Sequence, residues 1–137
     1  PLPEKVRPSS IYQDRLSRLW FGSKRGLYRL PTTDADPVLV VRTEDTVYGF
    51  AEDRRGGIWF AIWNHGLARF DPQDGSLRRY RHESDDASSL SSDMVAAVLG
   101  DRAGTIWLGT AQGGVDRFDP QGRLFRQVPM RRPWPTS

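Results

Sequence analysis

The sequence predicts an all-β chain of about three repeated four-stranded antiparallel meanders. Three observations predict it. A segment anchored on a tryptophan recurs three times, its apolar runs have strand length without a helical period, and Gly, Asp, Asn and Pro separate the runs at repeating offsets.

The clearest copy occupies 95–120 and carries Asp101, Gly104, Trp107, Gly109, Gly114, Arg117, Phe118 and Asp119. A second copy, starting at Val47, places Asp53, Gly56, Trp59, Gly66, Arg69, Phe70 and Asp71 at the same offsets, with Ala61 where the later copy has Gly109. The first copy is more worn. Asp14, Trp20, Gly22, Gly26, Arg29 and Leu30 hold the pattern, Ser17 stands where the others have glycine, and the turn before Gly26 is one residue shorter. Trp20 and Trp59 lie 39 residues apart and Trp59 and Trp107 lie 48 apart. That period brackets the roughly 40 to 50 residues of a β-propeller blade.

Each unit divides into strands in the same way. In the second unit the runs 47–51, 58–62, 67–70 and 77–80 read as four short strands. The Asp-x-x-Gly segments 53–56 and 101–104 suit tight turns between the first two strands, because the Asp side chain closes on turn amides and Gly takes positive φ without a Cβ penalty. Gly26, Gly66 and Gly114 mark a second turn, and Asp71-Pro72 and Asp119-Pro120 end the third strand, since proline cannot donate to a ladder. Trp20, Trp59 and Trp107 share one offset in the second strand and are expected to fill the wedge between neighbouring blades. No stretch carries apolar residues at helical spacing over three turns, and 91–95 is the one candidate for a helical turn. The predicted organisation is an N-terminal extension over 1–10, blades over 11–46, 47–94 and 95–128, and a C-terminal tail over 129–137.

Composition narrows the functional classes. With 137 residues and 37% hydrophobic content, the chain can bury one core. Its longest apolar runs, 38–41 and 94–99, fall far short of the roughly 20 residues of a membrane span. Zero cysteines exclude disulfides, thiolate metal sites and a Cys nucleophile. The net charge of +3 comes from arginines scattered through every segment, with only Lys5 and Lys24 as lysines, so it reads as solvated surface and not as a nucleic-acid face.

Catalytic signals are weak. Gly22-Ser23-Lys24-Arg25-Gly26 does not centre Ser in Gly-x-Ser-x-Gly and reads as a blade turn. His65 and His82 have no second ligand at zinc-like spacing, and Glu83, Asp85 and Asp86 lack the alternating ligands of a calcium loop. No glycine-rich phosphate loop opens a helix. The expectation is a non-catalytic chain without cofactor or metal. Binding residues are sought in the loop after each Trp strand, because such loops vary over a rigid scaffold. These are Lys24 and Arg25, then Trp63, Asn64 and His65, then Gln112.

At Asp101, Gly104, Ile106, Trp107, Leu108, Gly109, Thr110, Gly113, Gly114, Val115, Arg117, Phe118 and Asp119 the pattern resembles the two-component regulator propeller repeat family. The connector Ser88-Ser89-Leu90-Ser91-Ser92-Asp93 resembles that family's entry into a blade. The resemblance implies part of the periplasmic sensor region of a bacterial inner-membrane receptor, with a histidine kinase or diguanylate cyclase output elsewhere in the parent. It also implies carbohydrate or another small molecule as ligand, since the hybrid kinase branch commonly detects carbohydrates. The alternative is a propeller that serves as a protein-interaction platform without a small ligand. At residues 61–65 the second unit departs from the family pattern, which singles out that loop as surface. Three blades do not close a ring, so self-association through open blade edges is expected, without nucleic acid and without direct membrane contact by this segment.

Overall fold

A computed structural model describes residues 7–32, 34–111, 114–119 and 124–128. Residues 1–6 of the expected extension, Gln112 and the expected tail over 129–137 lie outside the described residues. The first sheet holds β1 (Ser10–Gln13), β2 (Leu19–Ser23), β3 (Gly26–Leu30) and β4 (Val38–Arg42). The second holds β5 (Val47–Glu52), β6 (Ile58–Ile62), β7 (Leu67–Phe70) and β8 (Leu77–Tyr80). The third holds β9 (Val95–Gly100), β10 (Ile106–Thr110), β11 (Gly114–Asp119) and β12 (Leu124–Gln127). Each sheet is an antiparallel meander whose strand order is chain order.

The sheets meet at their first strands. β5 packs beside β1 on one side and β9 on the other, with β2 against β5 and β6 against β9 as the next layer. The strands further along each meander diverge from this line, which is the arrangement of propeller blades around an axis. The three sheets form an open arc.

Two wedge-shaped cores fill the gaps. Between the first and second sheets lie Trp20, Leu27, Val41, Ile58, Phe60 and Ile62; between the second and third lie Trp59, Ala61, Leu67, Ile106, Leu108 and Phe118. Side chains alternate across a strand, so β6 sends Ile58, Phe60 and Ile62 backward and Trp59 and Ala61 forward. All five are buried. Trp20 meets Phe70 with ring centroids 5.9 Å apart, and Trp59 meets Phe118 at 4.8 Å. Burying an indole removes about 200 Å² from water, roughly 5 kcal/mol at 25 cal/mol per Å². Both tryptophans pack between neighbouring sheets. Trp107 occupies the same offset but is only partly buried, since among the described residues no further sheet packs on that face of the third.

No helix occurs among the described residues. In 91–95, where a helical turn was the candidate, Leu90 is fully buried and the Ser91 amide and hydroxyl both donate to the buried Asp116 carboxylate. Those bonds fix the connector to β11 in place of a local helical bond. Among the described residues no helix is long and apolar enough to cross a membrane.

The turns between first and second strands show why the first copy could lose its glycine. Gly56 and Gly104 have φ of +83° and +88°, and Ser17 takes φ +64° at the equivalent place. The Ser17 amide still donates to the Asp14 carbonyl at 2.9 Å, so the turn keeps its form despite a Cβ in the left-handed region. Relief of that strain, less the chain entropy of glycine, is expected to make Ser17→Gly more stable by about 0.5–1 kcal/mol. A urea midpoint that is unchanged or lower would contradict this account.

Candidate ligand-binding face

The two ends of the sheets differ in chemistry. At one end the Asp turns form a clamp repeated three times. The Trp20 indole N–H donates to Asp14 Oδ2 at 2.8 Å, Trp59 to Asp53 Oδ2 at 2.8 Å and Trp107 to Asp101 Oδ2 at 2.9 Å. The other carboxylate oxygen accepts a backbone amide four residues on, from Arg18, Gly57 and Thr105 respectively. An arginine completes the first two clamps: Arg18 Nε and Arg69 Nε each stand 2.6 Å from the carboxylate. Sequence reading took Asp53 and Asp101 as turn closers and the tryptophans as packing, and missed the bond between them. Its signal was the constant separation of six residues in all three units.

The clamp sets the protonation of its aspartates. Burial pushes Asp14 and Asp53 upward, but hydrogen bonds from Trp20 and Arg18, and from Arg69, Trp59 and the Gly57 amide, outweigh it and hold both below the ordinary aspartate value. Asp101 is likewise lowered, first by the Trp107 indole and then by the Thr105 amide. At this end the diverging second and third sheets leave an open cleft of about 830 Å³, flanked by Arg54, Arg55, Arg69 and Arg78. Arg69 is held there by Asp53 and Asp71.

The loops that follow the Trp strands lie at the opposite end. There the link 43–46 between β4 and β5 gathers them: the Thr43 amide donates to the Arg25 carbonyl and the Trp63 amide to the Thr46 carbonyl, both at 2.9 Å. Arg25 and Trp63 are thus fixed to one short segment. The Trp63 side chain is 49% exposed, and its ring rests on Tyr48 with centroids 5.8 Å apart. Tyr48 belongs to an innermost strand and its hydroxyl donates to the Val95 carbonyl, which anchors the tilted ring pair to the neighbouring sheet. Burial raises the Tyr48 pKa, so the donating proton is retained. Asn64 turns the loop at φ +61°, a conformation its short amide side chain tolerates, and the His65 amide donates to Ile62. Gly66 and Gly114 take φ of +80° and +81° at the ends of their loops.

Beside this loop, Glu44 accepts from Arg79 and from Arg81, with shortest contacts of 3.2 and 3.0 Å. The bond from Arg79 comes first among the causes that lower the Glu44 pKa, and the charge of His65 contributes in the same direction. The structure therefore brings Arg25, Trp63, Asn64 and His65 to one face; Gln112 lies outside the described residues. Sequence reading missed Tyr48, Glu44, Arg79 and Arg81, which join this face from 35 and 37 residues away in the Glu44 contacts. His82 follows Arg81; its amide donates to Asp93 and its ring Nδ1 stands 2.8 Å from the Leu90 carbonyl. Among the described residues no group of three or more His, Asp or Glu side chains could hold a metal ion.

The family model described as two component regulator propeller matches residues 89–112, which run from the Leu90 connector through the Asp101–Trp107 clamp. That segment is similar to a repeat of this propeller family. The repeat ends just after β10, and the second sheet shares its clamp and its strand order. No curated protein sequence matches the chain. Among solved structures, the extracellular domain of a protein from B. thetaiotaomicron assigned as a one component system superposes with a TM-score of 0.75 at 19% identity, over 85% of this chain and 16% of its own. Another extracellular domain from that organism, of a protein assigned as a hybrid two component system, gives 0.72 at 19% identity, over 91% of this chain and 18% of its own. A catalytically inactive virginiamycin B lyase from Staphylococcus aureus, with quinupristin, gives 0.68 at 20% identity, over 93% of this chain and 44% of its own. At these identities the matches establish the propeller fold, and the chain spans less than a fifth of the two extracellular domains.

The lowered aspartates make stability depend on pH with a definite sign. An unfolded aspartate titrates near about 3.9; the folded clamps titrate lower, so their contribution is full above that pH and is lost as pH falls through the folded values. Asp53→Asn is expected to lower stability at pH 7 by about 1.5–3 kcal/mol, the scale of a hydrogen bond to a charged group. It should also flatten the loss of stability as pH falls below the unfolded aspartate value of about 3.9. Urea midpoints at pH 7 and below that value test both, and an unaltered acid slope would contradict the clamp's role.

Proposed function

We propose that this chain is a non-catalytic part of the periplasmic sensor region of a bacterial two-component-type receptor, and that it presents a carbohydrate-binding face around Trp63. The sensor assignment draws on the repeat at 89–112 and on fold neighbours that are extracellular domains of such systems. The observation that carries the binding role is the half-exposed Trp63 ring packed at a tilt of 56° against Tyr48. An indole kept in water at this cost offers a flat apolar surface on which the C–H face of a pyranose can lie. Polar groups that could recognise hydroxyls belong to the same loop and the adjoining link: the Asn64 amide, the His65 imidazole, and the guanidinium pair held by Glu44. Ligand sites of this kind combine an apolar platform with a few oriented polar groups.

The non-catalytic reading draws on the same face. Its Glu44 carboxylate is occupied by both neighbouring arginines and held below the ordinary glutamate value, the opposite of the raised acid that glycoside hydrolysis needs. Bound sugar would be sensed and released unchanged.

Titration calorimetry of the chain with a panel of neutral oligosaccharides tests the proposal. At least one is expected to bind saturably, and Trp63→Ala is expected to weaken that binding about tenfold, equivalent to about 1.4 kcal/mol. Absence of binding across the panel, or binding indifferent to Trp63→Ala, would contradict it.

A further inference from the structure

The cleft at the clamp end, between the second and third sheets, gathers more positive charge than its own carboxylates neutralise. We propose that it is an anion site, separate from the Trp63 face, which takes a small molecule carrying two or more oxyanionic groups.

The register of the second sheet builds one wall. Trp59 of β6 lies opposite Arg69 of β7, and Arg69 lies opposite Arg78 of β8. Directly opposite residues share one face of an antiparallel sheet, so both arginines stand in the row of Trp59, on the face packed against the third sheet. Like charges so placed destabilise the pair unless something answers them. Asp53 and Asp71 answer Arg69, at 2.6 and 3.7 Å. Among the described residues no carboxylate lies within 4.0 Å of Arg78.

The third sheet shows that the repeat does not impose this. There Arg117 lies opposite Arg126 at the same offsets, and Asp119, the counterpart of Asp71, stands 3.5 Å from Arg126 Nε. In the second sheet the equivalent aspartate turns to Arg69 and leaves the outer arginine to the cleft.

The clamp turn supplies the other cations. The Arg55 amide donates to Asp53 Oδ1 at 2.9 Å, which fixes the turn at that point. The Arg54 stem crosses toward the third sheet, where a Cβ on Gly104 would stand 2.4 Å from its Cγ. Gly57 makes similar room for Arg69, whose Cζ would lie 2.3 Å from a Cβ there. Two glycines thus let two guanidinium side chains lie along the cleft.

Four arginines against two aspartates leave two positive charges around an opening of about 830 Å³, which is within the roughly 300–1,000 Å³ of small-molecule sites. The Asp53 carboxylate is already committed to an indole, two amides and Arg69, so it does not turn to Arg54, Arg55 or Arg78. A guanidinium stays charged and presents its donors as a fork that fits carboxylate or phosphate oxygens. Leu77, 41% exposed, adds apolar surface for the carbon skeleton of such a ligand. Because the cations come from both the turn and β8, a ligand with two anionic groups engages more of them than one with a single charge.

Titration calorimetry at fixed ionic strength tests this, with citrate, digalacturonate and inorganic pyrophosphate as probes and acetate as the singly charged comparison. At least one of the three is expected to bind saturably and at least about tenfold more tightly than acetate, and which one does so separates a free polyacid from an acidic sugar or a phosphate compound. Arg78→Gln and Arg54→Gln are each expected to weaken that binding about tenfold. Arg42→Gln, which removes an exposed arginine from β4, and Trp63→Ala are expected to leave it unchanged. Binding no tighter than acetate for all three probes would overturn the proposal. So would an equal loss in Arg42→Gln, or binding that Trp63→Ala removes and Arg78→Gln does not.

Discussion

A four-stranded sheet has two faces and can cover neither by itself. In this chain that constraint is met by placing sheets side by side, so that each gap becomes a core. Among the described residues the second sheet is the one with a sheet against both faces, and β6 is the strand in which the consequence is plainest: five consecutive residues are buried, alternately against the first and third sheets. The alternation also explains why neighbouring residues of β6 serve different cores. Ile58 and Phe60 support the first sheet, and Trp59 supports the third.

The Asp–Trp clamp ties this packing to the turns. An indole buried between sheets must place its N–H somewhere, since an unsatisfied buried donor costs about 1–3 kcal/mol. The carboxylate of the turn six residues earlier supplies the acceptor, and the same carboxylate holds the turn amides. One residue therefore fixes the turn, orients the Trp and, in the first two sheets, engages an arginine. The first copy keeps Asp14, Trp20 and the clamp while losing the turn glycine to Ser17, which indicates which part of the repeat tolerates change.

Much of this was legible in the sequence because it is local and repeated. The strand runs 58–62, 67–70 and 77–80 coincide with β6, β7 and β8, since turn residues bound them on both sides. The turn at 53–56 was readable from Asp and Gly alone. The partnership of Asp53 with Trp59 was written in the spacing but not in any single residue. Less legible was the composition of the Trp63 face. Arg25, Trp63, Asn64 and His65 were readable as loop residues, whereas Tyr48 reads only as a strand residue, and Glu44, Arg79 and Arg81 read as solvated charge. Their meeting depends on how the link 43–46 lies against the next sheet, a long-range contact that no local pattern encodes. The connector at 91–95 failed for a related reason: its polar groups bond to Asp116 of β11, so a local helical turn had nothing left to gain.

The central claim is that burial between sheets, more than hydrogen bonding within them, holds the fold. Hydrogen exchange of the native chain, at a concentration low enough to keep copies apart, tests it most directly. All three second strands are central in their ladders, so ladder bonding alone would protect β2, β6 and β10 equally. The account predicts slowest exchange in β6, which is covered on both faces, with the amides of β2 and β10 exchanging at least about tenfold faster through local opening of the terminal sheets. Equal protection of the three strands, or greater protection of β2 or β10 than of β6, would contradict it.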